Sequence, residues 1–344
     1  MNIENQIIEY LKDNKESSST TILKGIDSEK SLATLKRILT NLINEKIIEP
    51  VGKGKATKYR LSQYFKLFEK IDIETYYAKE IDEREIKETF DISLIQNLLT
   101  KTDLLLQSEN EKLYNLQRKY SNNISELTKN EYNKELERLA IDLSWKSSQI
   151  EGNTYSLLET ERLLKEKEFA KGKQKEEATM LLNHKETLDF IIDNPDYLFP
   201  LTISKIEDIH SILIKDLGID RNIRKRRVGI SGTNYKPLDN EFQIKEALTS
   251  VCELINGKNN VFEQALLALI LISYIQPFSD GNKRTARIVS NAILINRRFC
   301  PISFRTVDSI DYKKAMLLFY EQNNVTVFKQ IFIEQFEFAV KTYF

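Results

Sequence analysis

Residues 280–287, Asp-Gly-Asn-Lys-Arg-Thr-Ala-Arg, bring a carboxylate, a glycine and three cations into one short stretch, and that set suits anion chemistry. The stretch lies between residues 265–274, almost wholly apolar, and residues 284–297, where helical patterning resumes. Pro277 and Gly281 punctuate a turn, so the turn opens a helix. Backbone N–H groups of Gly281, Asn282 and Lys283 are then unpaired at a helix N-terminus, where aligned peptide dipoles favour an anion. Arg284 and Arg287, three apart, stand on one face above it. Asp280 is a hard oxygen ligand placed where Mg²⁺ could bridge to a bound phosphate. The plainer alternative is a glycine turn carrying a solvated Asp-Asn-Lys-Arg cluster.

The string Gln276-Pro-Phe-Ser-Asp-Gly-Asn-Lys-Arg-Thr-Ala-Arg287 resembles the motif of the Fic family and its relative Doc, His-Pro-Phe-x-Asp/Glu-Gly-Asn-Gly-Arg-x-x-Arg. Pro277, Phe278, Asp280, Gly281, Asn282, Arg284 and Arg287 fit. Gln276 stands at the position of the catalytic histidine, and Lys283 at that of the second glycine, where Doc-like members carry lysine. In the family the histidine deprotonates a protein hydroxyl that attacks ATP. Fic members usually transfer AMP, and Doc transfers the terminal phosphate. The resemblance implies that Asp280 holds the metal, Asn282 helps bind phosphate, and Arg284 and Arg287 contact the outer phosphates of ATP or a related nucleotide. Gln276 cannot replace the base, because a carboxamide does not titrate near neutrality and a positioned base is worth roughly 10²- to 10⁴-fold in rate.

Upstream, the helical pattern of residues 140–151 ends at Gly152, which leaves Glu151 in the last turn. A carboxylate there opposes the negative end of the helix dipole and wants a cation. The string Ser147-x-x-x-Glu151-Gly152 resembles the inhibitory motif of Fic proteins, whose glutamate pairs with the motif's second arginine, here Arg287. An exposed glutamate before a capping glycine is the alternative. Residues 228–237, with Gly229, Ile230 and Gly232, read as a strand, a turn and a return, and resemble the Fic flap that holds a target segment as an added strand. The basic run at residues 221–227 is either a phosphate or nucleic-acid contact or a solvated face. His184 and His210, the only histidines, sit singly on amphipathic helices and read as structural residues rather than as a replacement base.

Residues 1–62 pattern as three helices followed by two short strands around the basic loop Gly52-Lys-Gly-Lys-Ala-Thr-Lys58, which resembles a winged helix-turn-helix. Residues 30–62 hold eight Lys/Arg against two acids, a local balance of +6 inside a chain whose formal net charge is +0. Ser31, Thr34, Lys36 and Arg37 lie near the start of the third helix, where recognition helices meet base edges, and Lys53, Lys55 and Lys58 are placed to meet phosphates. A winged helix that binds protein instead of DNA is the alternative.

The 344 residues allow two or three domains. The expected organisation is a winged-helix domain at 1–62, a packed helical connector at 63–139 and a Fic-type domain with its inhibitory helix at 140–344. With 10 Gly and 6 Pro, turn chemistry is scarce and a mainly α fold with a small wing and flap hairpin follows. Cys252 and Cys300 match no disulfide framework or metal site. The longest apolar run is shorter than the roughly 18 residues a membrane span needs, and the start Met-Asn-Ile-Glu-Asn-Gln lacks a secretory pattern, so a cytoplasmic protein without membrane partners is expected. The aromatic residues of 315–344 pattern as a core stripe, with self-association as a homo-oligomer the other use of such a face. Two functions stay open: a DNA-binding regulator whose Fic module binds nucleotide with weakened or lost catalysis, and an active transferase moving AMP or phosphate to a protein hydroxyl, on a target or on itself. The basic loop carries its own test. Replacing Lys53, Lys55 and Lys58 together by alanine should weaken DNA retention similarly across sequences and flatten its salt dependence, because phosphate contacts carry no base information. Unchanged retention of genomic fragments would remove the wing from any DNA interface.

Overall fold

The computed structural model describes residues 2–344, except the side chain of Lys55. The chain divides into two compact units. One runs to Ile71 and includes Gln322–Thr326; the other comprises Asp72–Glu321 and Val327–Phe344.

In the first unit, α1 (Ile3–Asp13), β1 (Ser17–Ser18), α2 (Ser19–Gly25), α3 (Leu32–Asn44), β2 (Ile48–Val51), β3 (Lys58–Leu61) and α4 (Gln63–Phe68) follow in order. Caps set the helix starts: Ser18 Oγ accepts from Thr21 N and Ser31 Oγ from Thr34 N, each at 3.2 Å. The antiparallel sheet has the order β1-β3-β2, with Ile48 opposite Leu61 and Val51 opposite Lys58. Pro50 is tolerated because β2 is an edge strand. Helical spacing buries Ile7, Leu11, Ile22, Leu35, Leu39 and Leu42 against Ile48 and Leu61 as one core. Between β2 and β3 the loop turns through Gly52 (φ 83°) and Gly54 (φ 62°), a region that glycine enters without steric cost. Sequence periodicity misses β1, whose two polar residues pair with Tyr59 and Lys58 of β3. It also places α4 in the connector, whereas Val325 N donates to Leu67 O at 3.0 Å within this unit.

The second unit is helical: α5 (Ile73–Tyr77), α6 (Gln107–Glu126), α7 (Lys129–Ile150), α8 (Leu157–Glu166), α9 (Lys175–Asp193), α10 (Ile203–Leu213), α11 (Glu241–Gly257), α12 (Val261–Ile275), α13 (Asn282–Asn296), α14 (Ser309–Gln322) and α15 (Thr326–Thr342). Apolar on every face, α12 is buried from Phe262 to Ile275 and forms the axis of the unit. Its most extensive neighbour is α13, which α7, α9 and α10 also pack against. The short turn from α12 to α13 is therefore held from several sides. Phe328, Phe332 and Phe336 of α15 are fully buried, so that stripe is core. None of the described helices is long and apolar enough to cross a membrane.

Two expectations need correction. Within the connector, expected to be helical, residues 92–99 form a π-type turn, Leu94–Leu98, and the 3-10 turn that starts at Leu99, and not a stretch of long α-helix. Residues 228–237 form no hairpin: Lys236 makes an isolated parallel bridge to Thr89, and Lys236 N donates to Glu88 O at 2.7 Å. Gly232, at φ 88°, turns the segment, Pro237 has no N–H to offer, and Tyr235 spends its hydroxyl on Tyr274 O at 2.9 Å. The segment is thus pinned to neighbours and makes no return strand.

Candidate functional site

Gln276 ends α12 in the left-handed region (φ 51°, ψ 60°), a conformation that costs a branched or long side chain on the order of 1 kcal/mol and needs fixing by neighbours. Its amide supplies that fixing. Gln276 Nε2 donates to Ser273 O at 2.7 Å, and its Oε1 accepts from Asn282 Nδ2 at 2.9 Å. Asn282 in turn accepts from Phe278 N (2.8 Å) and donates to Phe278 O (2.9 Å), closing the turn on itself. Behind it Arg224, the buried member of the basic run, donates from Nε to Gln276 O at 2.6 Å and also reaches Leu238 O. Arg227 pairs with Asp239 at 2.6 Å, and Arg221 and Arg226 are exposed as well, so Arg224 alone of the run's four arginines turns inward.

Gly281 begins α13 at φ 79°, and a Cβ there would stand 3.3 Å from Ile214 and 3.4 Å from the His210 ring. Contrary to expectation, its N–H is not free: Asp280 Oδ1 accepts it at 2.6 Å because the short carboxylate folds back over the turn. Asn282 and Lys283, as the first helical residues, have no intrahelical carbonyl for their N–H groups. The Asp280 side chain remains 63% exposed. Among the described residues no cluster of three or more His, Cys, Asp or Glu forms. Mg²⁺ commonly uses one or two carboxylates with phosphate oxygens and waters, which a lone exposed Asp280 fits.

Glu151 caps α7 and reaches α13. Its Oε1 accepts from Arg287 Nη2 and its Oε2 from Lys283 Nζ, both at 3.1 Å. Arg287 is fully buried. It donates from Nε to Ser147 Oγ (2.8 Å) and from Nη2 to Ser147 O (2.9 Å), and its guanidinium lies 5.3 Å from the Tyr312 ring centre. Gly152 follows at φ 101° and lets the chain leave the helix. Burial pushes the Glu151 carboxyl up, but the fields and hydrogen bonds of Lys283 and Arg287 outweigh it and hold the pKa at about 2. Sequence reasoning pairs Glu151 with Arg287 alone. The signal for Lys283 is its i,i+4 spacing from Arg287, which puts both cations on one face of α13.

Arg284 is almost fully buried, with Nη2 3.5 Å from Asp280 Oδ2 and with Nε and Nη1 unpartnered. Neither histidine lines the pocket beside the turn. His210 stacks on Phe278 (centroids 3.6 Å apart, planes at 4°) with Nε2 3.0 Å from Asp280 O, a brace under the turn. His184 is fully buried and held neutral, first by burial and then by Arg287 and Arg284.

The pocket, about 330 Å³, has an apolar wall of Ile150, Val228, Ile230, Met316, Leu317 and Tyr320 and a polar end of Glu151, Asp280, Asn282 and Lys283. Gly229 and Gln276 also line it, whereas Gly232 faces Leu317. Arg284 and Arg287 stand behind this surface. In the first unit, separately, Lys36, Arg37, Lys53 and Lys58 are exposed. Ser31 and Thr34 are engaged in the α3 cap, and the side chain of Lys55 lies outside the described residues. Arg60 is neutralised by Glu49 at 2.7 Å, which reduces the basic patch.

A helical fold with a phosphate-suited turn at the mouth of an α12–α13 pair has known counterparts. Residues 200–294 match the model of the Fic/DOC family, so this segment is a domain of that family. The chain is 30% identical over 173 residues to "Protein adenylyltransferase Fic" of Nematostella vectensis, covering 48% of this chain and 40% of that protein. It is 26% identical over 175 residues to "Protein adenylyltransferase fic-1" of Caenorhabditis elegans, covering 48% and 34%. The chain thus spans 40% or less of the length of these curated relatives. The solved structure of Fic-1 from C. elegans superposes with a TM-score of 0.60 at 19% identity, over 69% of this chain and 72% of that one. A Fic domain containing signaling protein from Bacteroides thetaiotaomicron gives 0.58 at 21%, over 67% and 94%. At these identities the structural likeness speaks for the fold alone.

The ionic contact has a pH signature. A carboxyl depressed to about 2 contributes stability that is fully present above the ordinary value of 4.5 and lost as pH falls through about 2. The melting-temperature gap between the unaltered protein and Glu151→Gln should therefore be constant at neutral pH and close on acidification through that window. A gap independent of pH would mean that Glu151 acts by packing and not by charge.

Proposed function

We propose that this chain is an autoinhibited Fic-type module that binds ATP or a related nucleotide, with transfer weakened by Gln276, in a protein that also carries a DNA-binding winged helix. The observation that carries the reading is the Glu151 clamp on Arg287 and Lys283. Displacing Glu151 would free Lys283 at the pocket's polar end and Arg287 just behind it for the outer phosphates. Arg284 adds buried donors without partners, a costly arrangement that a phosphate would relieve. Mg²⁺ held by Asp280 would neutralise phosphate charge when bound. Gln276 spends its donor and an acceptor on the turn and cannot take a proton. Gly229 and Ile230 line the same pocket, which supports a flap beside a bound nucleotide, where a target segment would lie.

The second reading, an active transferase of AMP to a protein Ser, Thr or Tyr, is favoured by the two relatives named as protein adenylyltransferases. One experiment separates the readings: incubation with ATP and Mg²⁺ followed by mass spectrometry of the unaltered protein, Gln276→His, and Gln276→His with Glu151→Gly. The expected result is no modification, slight self-modification and strong self-modification respectively, more than additive because the base and the freed arginine act on one event. The added mass identifies AMP or phosphate. Modification of the unaltered protein at the level of the double variant would install the second reading. A double variant that stays inert, with Lys283→Gly added as well, would exclude transfer altogether.

A further inference from the structure

The segment before α6, part of the expected connector, grips the flap. Arg84 is buried and forks: Nη1 donates to Glu321 Oε1 at 3.0 Å, and Nη2 to Gly232 O at 3.0 Å. Glu321, also fully buried, accepts from Tyr76 Oη at 2.7 Å, and its backbone carbonyl accepts from Lys87 N at 2.8 Å. Asn234 donates to Asp82 at 3.0 Å, and Lys236 N to Glu88 O at 2.7 Å. Three successive attachments thus tie residues 82–88 to residues 232–236.

The two arms of Arg84 end on residues that flank the pocket's lining, one beside the flap and one on α14. Gly232 follows the lining residues Gly229, Ile230 and Ser231, and Glu321 follows the lining residue Tyr320, one turn beyond Leu317. The flap glycine also sits close enough that a Cβ would meet Leu317 Cδ1 at 3.4 Å. A guanidinium holds its two donor pairs in one plane at a fixed angle, which a lysine ammonium on a flexible stem cannot reproduce. The outer pair between Lys236 and Glu88, 71% and 58% exposed, is of the surface kind that contributes little.

We propose that Arg84 is a positioning residue of the pocket: its fork sets the separation of the flap from α14, and so the width of the apolar wall. What enters that width rests on the nucleotide reading above; the positioning itself does not. The test is hydrogen–deuterium exchange on the full chain. Arg84→Ala would leave Glu321 buried without its partner, so two gentler variants are used. Arg84→Lys keeps the charge beside Glu321, and Arg84→Met with Glu321→Met removes both charges at similar volume, a replacement that often leaves stability intact. In both, amides of 228–236 should exchange roughly ten-fold faster or more, as loss of a charge-assisted hydrogen bond entails, while amides of α12 and α13 keep their rates. Lys236→Ala should change little. Unchanged exchange at 228–236 in both variants overturns the proposal, and so does an equal rise throughout the second unit, which marks Arg84 as only structural. In the Glu151→Gly background, ATP affinity should fall several-fold in Arg84→Lys. A local rise in exchange with no ATP binding in any variant would refute the nucleotide reading and leave the positioning role standing.

Discussion

A buried arginine needs an anion, and in this molecule Glu151 is the anion for Arg287. The arrangement is demanding on both sides. Arg287 has no solvent to share its charge, while Glu151 sits at the C-terminal end of α7, where the helix dipole opposes a carboxylate. Each group is tolerable only because of the other, and Lys283 adds a second cation that draws the carboxyl well below its ordinary range. Removing one member of such a set leaves an uncompensated charge, which is the costly case. The contact fastens α7 to the first turns of α13 and at the same time occupies the cations that an anionic ligand would use. On the proposed reading, stability and occupancy of the site are coupled through one carboxylate.

The turn between α12 and α13 depends on the same economy of polar groups. Gln276 adopts a left-handed conformation and compensates with bonds to Ser273 and Asn282, while Arg224 and His210 hold the turn from behind. Both ends of its carboxamide are used in this bracing. What it lacks is a lone pair with a useful pKa. The bonds of Gln276 thus hold the turn without a group that titrates near neutrality, so turn geometry and proton transfer are separate requirements.

What was legible in the sequence lay in contiguous strings. The helix starts at Ser31 and the turn at Gly281 follow from local chemistry, and the pairing of Glu151 with Arg287 follows from two motifs read together. What was not legible depended on distant partners. Lys283 meets a carboxylate 132 positions away, Arg224 turns inward from what reads as a solvated basic run, and Met316, Leu317 and Tyr320 reach the pocket from a helix whose apolar pattern signals only core. The flap looked like a hairpin because its residues alternate suitably. Its partners include Asp82, Arg84 and Glu88, which no periodicity within residues 228–237 could reveal.

Coupling between Glu151 and the anion site is open to direct measurement by calorimetry of ATP with Mg²⁺ on the unaltered protein, Glu151→Gly and Arg287→Ala. Release of the clamp should tighten ATP at least about ten-fold, an advantage of roughly 1.4 kcal/mol, and Arg287→Ala should abolish binding or leave it at the level of AMP. Equal ATP affinity in the unaltered protein and Glu151→Gly, or undiminished affinity in Arg287→Ala, would contradict a site governed by that carboxylate.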